Sequence, residues 1–298
     1  MLSIIIPIKQ SLIKPDCLIR LIANIARLKS HQEYDKRFII TIADSSHLLL
    51  SFPILILSKL LGTHYKKNSN DSTYHYSPAL VKNSSAEYCF DTLNASHILF
   101  LDVDVLITDE FIDHILCQVA ENTQFDWYPV DFLIKSYGLN KMFSCIKNSH
   151  LKEISQENIL QTGYATGIQL INKEFFKVLD GYCEDFLGYG CEDIELIHRA
   201  SLLINLRPPF IDIKNPYYND DRGYDPSQLI GFRNYFYHLK KQSFKDPTLV
   251  PKHFWHKRKN KSKYLQSRID NDAKLISIMN NFDKQYISIN QENNKYNL

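Results

Sequence analysis

HILFLDVDVLIT, residues His97 to Thr108, is an apolar run that hands over to two aspartates. Ile98 to Leu101 predicts a buried strand, and Asp102 and Asp104 follow with only Val103 between them. Side chains at i and i+2 of a strand share a face, so both carboxylates are expected to look into one cleft. Two carboxylates that close repel, and each resists ionisation. A hard divalent cation such as Mg²⁺ or Mn²⁺ relieves that conflict through oxygen ligands. The stretch therefore reads as a seat for a metal-bound diphosphate. A strand that simply ends in polar residues is the other reading.

Upstream, Leu2 to Ile8 is a β-branched run suited to a strand buried on both faces of a parallel sheet. Pro15 to Lys29 has helical spacing, with Pro15 in the first turn. Arg37 to Ala43 predicts a second strand that ends at Asp44. Strand, helix, strand argues for a doubly wound nucleotide-binding half, whose ligands sit at the carboxyl ends of strands. Asp44 lies at such an end, where a helix cap or a turn also calls for aspartate. Thr63 to Ser77 reads as a loop with one short strand. Ser77 caps a helix from Pro78 to about Asn94, with Lys82 and Asn83 early in it, open to a ligand or to solvent.

Downstream, a helix is expected from Asp109 to about Ala120, a strand from Phe125 to Ile134, and loop with local helix from Tyr137 to Asn158. Gly167 to Ile171 predicts a short strand, and Lys173 to Leu179 a short helix. In GYCEDFLGYGCEDIELIHRA, Gly181 to Ala200, a tight turn at Gly188-Tyr189-Gly190 precedes a helix opened by Glu192, Asp193 and Glu195. Acidic residues suit a helix N-terminus, and the glycine turn in front would put a carboxylate at the mouth of a cleft. Pro208 to Ile213 is a last strand candidate, and Asn215 to Arg233 reads as a loop. His253 and His256 stand three apart beside Trp255, and either would serve as a third metal ligand. Lys257 to Lys263 is basic, and the remainder to Leu298 is polar with weak helical periodicity.

The 298 residues, 44% of them hydrophobic, suffice for one large domain or two small ones. A net charge of +2 sets up no field that would select nucleic acid. The six cysteines, Cys17, Cys89, Cys117, Cys145, Cys183 and Cys191, form no CxxC pair. They read as reduced thiols of a cytoplasmic protein. MLSIIIPIKQ lacks the marks of a signal peptide. No segment has the apolar length of a membrane span. Leu48 to Leu61 is the most apolar stretch, broken by Ser51, Pro53, Ser58 and Lys59. A peripheral membrane contact stays open, with the basic stretch as one source.

Four features in this order resemble the nucleotide-sugar-dependent glycosyltransferases of the GT-A fold, and most nearly the bacterial family 2 enzymes of capsule, lipooligosaccharide or glycosaminoglycan-like chains. They are SIIIPIK at Ser3 to Lys9, DVD at Asp102 to Asp104, GYGCEDIEL at Gly188 to Leu196, and HFWH at His253 to His256. The C-terminal part is also similar to animal galactosyl- and N-acetylgalactosaminyltransferases. The resemblance implies a Rossmann-like α/β/α fold of three layers with a mostly parallel central sheet. It implies one GT-A domain over residues 1–258, with a nucleotide-sugar half to about 110 and an acceptor half from about 111. A basic then polar extension, 259–298, follows. Chemically it implies inverting transfer from a UDP-sugar to a saccharide or glycolipid hydroxyl. Pro7, Asp44, Lys82, Asn83, Asp102 and Asp104 would bind donor. Asp104 with His253 or His256 would hold Mn²⁺ or Mg²⁺. Glu192 and Tyr189 would bind acceptor, and Asp193 would be the base. The family often has Gly-Gly where this chain has Gly167-Ile168, and Trp at Tyr189. The 215–233 loop would order over the donor, with Arg222 near the diphosphate.

Three rivals differ in cheap observables. A haloacid-dehalogenase-like phosphatase also uses DxD after a strand, but near the N-terminus. A nucleotidyltransferase needs a Gly-rich basic loop that IPIKQS lacks. A non-catalytic saccharide-binding protein would need neither metal nor base.

Overall fold

The computed structural model describes residues 1–10, 16–68, 77–164, 166–188, 190–207, 209, 240, 244, 246–257 and 263–295. Tyr189, Arg222, the strand candidate at 208–213 (apart from Pro209) and the 215–233 loop lie outside them.

The first strand, β1 (Leu2–Ile8), shows why the N-terminal run is apolar but for Ser3. Leu2, Ile4, Ile6 and Ile8 enter the core on one face of the sheet. Ile5 enters the core on the other. Each fully buried aliphatic side chain contributes about 1.5–3 kcal/mol, so alternate residues anchor β1 from both sides. Helix α1 (Asp16–Lys29) follows, then β2 (Phe38–Asp44), α2 (Leu48–Leu60), β3 (His64–Lys67) and α3 (Pro78–Glu87). Ser77 Oγ accepts from the Leu80 amide, the expected cap. A π-helical turn, Tyr88–Thr92, extends α3 toward the expected end. Then come β4 (His97–Phe100), β5 (Val105–Leu106), α4 (Asp109–Ala120), β6 (Phe125–Trp127) and β7 (Val130–Leu133). Two short helices, α5 (Leu139–Ser144) and α6 (Asn148–Lys152), lead to β8 (Ile159–Gly163), β9 (Gln169–Asn172) and α7 (Lys173–Leu179). Among the described residues the chain ends with α8 (Glu192–Leu203), β10 (Lys252–His253) and α9 (Lys263–Lys295).

The central sheet has the order β3-β2-β1-β4-β9-β6. β1 pairs in parallel with β2 and β4, and β2 with β3. Only β9 runs against its neighbours. Helices on both faces make the mostly parallel three-layer α/β/α arrangement expected from the sequence. A smaller sheet, β5-β10-β7-β8, brings His253 alongside Val105 and Phe132.

Two readings change, and one stretch without an expected element gains one. Phe125 to Ile134 is not one strand. Pro129 has no amide to donate to a ladder, so the chain leaves the large sheet after Trp127 and joins the small one at Val130. Leu48 to Leu60 is a helix despite Pro53. The polar C-terminal stretch forms a 33-residue helix, and its Leu275 and Met279 are fully buried in the same cluster as Leu196 and Ile197.

Candidate active site

Asp102 and Asp104 do not sit on a strand. β4 stops at Phe100, and a turn closed by the Val105 amide donating to the Asp102 carbonyl at 3.0 Å carries both. The shared cleft therefore comes from the turn and from what clamps it. Asn24 Nδ2 donates to the carbonyls of Asp102 at 3.1 Å and Val105 at 2.8 Å. One turn earlier on α1, Arg20 donates to the carbonyls of Phe254 at 3.4 Å and Trp255 at 3.0 Å. Three residues after Asn24, Arg27 Nε reaches the Ile107 carbonyl at 2.9 Å. These three buried polar side chains hold the DVD turn and the HFWH segment in one frame. The Phe254 amide completes it by donating to the Asp104 carbonyl at 2.9 Å.

That frame converges Asp104, His253 and His256. His256 Nε2 lies 3.0 Å and His253 Nε2 3.4 Å from Asp104 Oδ2. The three ligand atoms fall within 4.8 Å of one another. The Phe132 ring, 4.7 Å from the His253 ring, fixes its orientation. Burial would raise the Asp104 carboxyl, but His253 and His256 outweigh it and hold it well below the usual range. Asp102 keeps solvent access in the cleft. Surrounding protein displaces much of its water, and this, then repulsion from Asp104, pushes its carboxyl up to about 6. One carboxylate and two imidazoles on neighbouring segments make a donor set that fits a divalent first-row cation. Both candidate histidines lie within this cluster.

On the other side of the cleft, Glu192 and Asp193 open α8. Lys82 Nζ contacts Asp193 Oδ1 directly and stands 3.4 Å from Glu192 Oε1. It also lies over the Tyr182 ring, 4.9 Å from its centroid. Burial works to lower the Lys82 pKa, but Asp193 and Glu192 prevail and hold it well above its ordinary value. Burial first, then Asp193, lift Glu192 to about 7 against the pull of Lys82. Glu192 Oε2 is buried with no hydrogen-bond partner among the described residues. Gln169 Nε2 donates to the Asp193 carbonyl at 3.2 Å, and the Tyr182 hydroxyl donates to Gln169 Oε1 at 2.7 Å. Gly167 explains its own identity: a Cβ there would meet Asp193 Oδ2 at 2.9 Å. The turn before α8 has Gly188, Gly190 and Cys191 all at positive φ. Asn271 of α9 ties it down by donating to the Leu187 carbonyl at 2.9 Å.

The structure thus brings Lys82, Asp102, Asp104, Glu192, Asp193, His253 and His256 to one cleft. Pro7 sits partly exposed at the carboxyl end of β1, two residues past the Ile5–Phe100 pairing. Asp44 is different. It is fully buried and accepts from the Ser46 amide at 2.7 Å and the Tyr65 hydroxyl at 2.7 Å. The turn-residue reading describes those contacts. Asn83 turns to the 181–184 loop, where its amide binds Tyr182 and Glu184. The sequence reading did not find Arg20, Asn24 or Arg27. Their 4- and 3-residue spacing within an otherwise apolar helix was the available signal.

A mostly parallel sheet with a carboxylate turn at its strand ends, and a second carboxylate pair facing it, defines a GT-A glycosyltransferase. The chain belongs to the family described as glycosyltransferase like family 2, whose sequence model matches residues 3–280. The match runs into α9. No curated protein matches the chain. Among solved structures, S. aureus TarS 1–349 is similar at 14% identity and a TM-score of 0.46, covering 67% of this chain and 55% of that one. The mannosyltransferase PcManGT of Pyrobaculum calidifontis, in complex with GDP-Man and Mn²⁺, is similar at 10% identity and a TM-score of 0.42. It covers 68% of this chain and 52% of its own. Drosophila β1,4-galactosyltransferase 7 with xylobiose is similar at 15% identity and a TM-score of 0.33, with coverages of 65% and 58%. This chain spans little more than half the length of these structures.

Proposed function

We propose that this glycosyltransferase moves a sugar from a UDP-sugar to a saccharide or glycolipid hydroxyl, with inversion, in the synthesis of a bacterial surface polysaccharide or lipooligosaccharide. The observation that carries the reading is the convergence of Asp104, His253 and His256 opposite Asp193. The ordinary inverting arrangement needs a cation site for the leaving diphosphate and a base on the acceptor side. The two histidines favour Mn²⁺ over Mg²⁺, since Mg²⁺ prefers oxygen ligands alone. When bound, the cation would stabilise the charge that develops on the departing diphosphate.

Asp193 takes the proton of the acceptor hydroxyl as that oxygen forms its bond to the anomeric carbon and the bond to the nucleoside diphosphate breaks. Base catalysis of this kind contributes about 10²–10⁴-fold. Glu192 Oε2, without a hydrogen-bond partner among the described residues, accepts a hydrogen bond from the acceptor sugar. Lys82 neutralises the carboxylate pair and keeps both near the reacting centre. Asp102 faces the ribose or the water around the cation. The six free thiols support a reducing cytoplasmic setting.

A thermal-shift screen of nucleotide sugars, each with and without Mn²⁺, tests the donor site through mass action. One UDP-sugar should raise the Tm only with metal, and Asp104→Ala should abolish the rise. Asp193→Asn should keep the rise and lose transfer. A rise that survives Asp104→Ala would overturn the metal assignment. Donor binding without transfer or donor hydrolysis by the unaltered protein would favour the saccharide-binding reading.

A further inference from the structure

Helix α2 buries two serines and turns five large apolar residues outward. Ser51 and Ser58 are buried, together with Ile54. Ser51 Oγ donates to the Ser46 carbonyl at 3.1 Å and the His47 carbonyl at 3.2 Å, and accepts from Lys67 Nζ at 2.7 Å. Ser58 Oγ donates to the Thr63 carbonyl at 2.9 Å. The outward face presents Leu48, Leu49, Phe52, Ile56 and Leu60, which are 42–79% exposed. Leu49, Phe52, Ile56 and Leu60 follow helical spacing and form one stripe. These five are the only exposed large hydrophobic residues that share a single short helix among those described; nine others are scattered over other elements and loops. Single exposed apolar residues are ordinary, whereas a contiguous patch marks an interaction surface.

Charge identifies the partner. From Ser45 to Asn70 the chain has Lys59, Lys66, Lys67, His47 and His64, and no acidic residue. Lys59 is exposed in the last turn of α2, between Ile56 and Leu60. Lys67 turns inward to Ser51 and, at 3.8 Å, to Asp44, which leaves an apolar stripe edged by Lys59 on a helix without acidic residues, and that fits an anionic lipid surface. An apolar protein partner would cover the leucines but leaves the one-sided charge without a role. The 13 residues of α2 reach about 20 Å, short of the roughly 30 Å hydrocarbon core. No helix among the described residues is long and apolar enough to cross a membrane. The helix would therefore lie in the plane of the interface.

We propose that α2 docks the protein on an anionic bilayer, with Leu48, Leu49, Phe52, Ile56 and Leu60 among the acyl chains and Lys59 at the headgroups. α2 begins at the carboxyl end of β2, the sheet end that also carries the Asp102 turn. Docking there sets the mouth of the cleft beside the lipid. The docking stands apart from the transfer chemistry and is tested without it.

Co-sedimentation of the full chain with phosphatidylcholine vesicles, with and without phosphatidylglycerol, reads the proposal directly. Binding is expected only to vesicles that contain phosphatidylglycerol. The double substitution Leu49→Ser and Phe52→Ser should weaken it by more than about tenfold, since each buried apolar side chain counts strongly in an interfacial helix. Lys59→Glu should weaken it about fivefold or more. All three positions are solvent-facing, so the Tm should hold. Leu60→Ser provides a second variant should the double one melt early. Binding to phosphatidylglycerol vesicles that α2 variants leave unchanged would move the contact to the Lys257–Lys263 stretch and overturn the proposal. So would an absence of vesicle binding, or a dimer in solution that the α2 substitutions convert to monomer.

Discussion

Replacing Glu192 by Gln should stabilise the protein at pH 8 and leave it unchanged near pH 4. Glu192 is buried at the start of α8, with Lys82 Nζ 3.4 Å from one oxygen and the other oxygen unpartnered among the described residues. Burial, then Asp193, raise its carboxyl from an ordinary 4.5 to about 7. The folded protein therefore holds this proton more tightly than the unfolded chain. Below about pH 4.5 both states are protonated and nothing is lost. Between about 4.5 and 7 the unfolded chain ionises first, so stability falls as pH rises. Above about 7 the full cost is in place, about 3 kcal/mol at about 1.4 kcal/mol per pH unit. Gln keeps the shape without the charge, its amide oxygen can still accept from Lys82, and Lys82 keeps Asp193 as its ion-pair partner. A gain of about 1–3 kcal/mol at pH 8 is expected. Urea denaturation of both proteins at pH 4 and pH 8 measures it. The reasoning is refuted by an equal effect at the two pH values, or by destabilisation at pH 8. Either would mean that Lys82 keeps Glu192 ionised throughout.

Three further outcomes follow from the geometry. Gly167→Ala forces Asp193 aside, so transfer should fall by about 10²-fold while the metal-dependent Tm rise with donor persists; steady-state rates and thermal shift on the same sample check both. Asn24→Ala leaves the Asp102 and Val105 carbonyls without their clamp. It should cost about 1–3 kcal/mol in urea denaturation and weaken Mn²⁺ binding by about 10–100-fold, as loss of an outer-shell partner does; calorimetric titration of the metal reads the second. Asp283→Ala removes the acceptor that Arg207 holds at 2.8 and 2.9 Å and His198 at 2.8 Å, all fully buried. Stranding that arginine should cost about 3–5 kcal/mol, visible as a large drop in the urea midpoint.

The sequence disclosed those parts of the fold whose pattern is local. Leu2 to Ile8 and Phe38 to Ala43 are apolar runs broken only by Ser3 and Thr41, whose hydroxyls pair with each other, and both are strands of the parallel sheet. Ser77-Pro78 announces its helix through capping chemistry. The candidate cleft was legible because its residues cluster in short segments: two aspartates one residue apart, Glu192 beside Asp193, two histidines three apart. Contacts between distant segments leave no local trace. Nothing near Asp44 signals that Tyr65, 21 residues on, consumes its carboxylate. Nothing near Asn83 signals that Tyr182 and Glu184 engage its amide. Pro129 did carry a signal, since a residue without an amide suits a break between sheets better than the middle of a strand.

The two ends of the chain meet the cleft from opposite sides, and this accounts for how the site is held. From the N-terminal side, Arg20, Asn24 and Arg27 on α1 donate to backbone carbonyls in and just after the DVD turn and in the HFWH segment. Such bonds fix where the chain runs without engaging the side chains of Asp104, His253 and His256. From the C-terminal side, Asn271 binds the Leu187 and Gly190 carbonyls at 2.9 and 3.3 Å, and Lys274 binds the Asp185 carbonyl at 2.5 Å. The buried Asp283 on the same helix holds Arg207 and His198, the latter kept neutral by a pKa lowered to about 4, chiefly through burial. α9 therefore fixes both the turn in front of Glu192 and the helix behind it. Loosening α9 should disturb Glu192 and Asp193 first, because its hydrogen bonds among the described residues run to the turn and the helix that carry them.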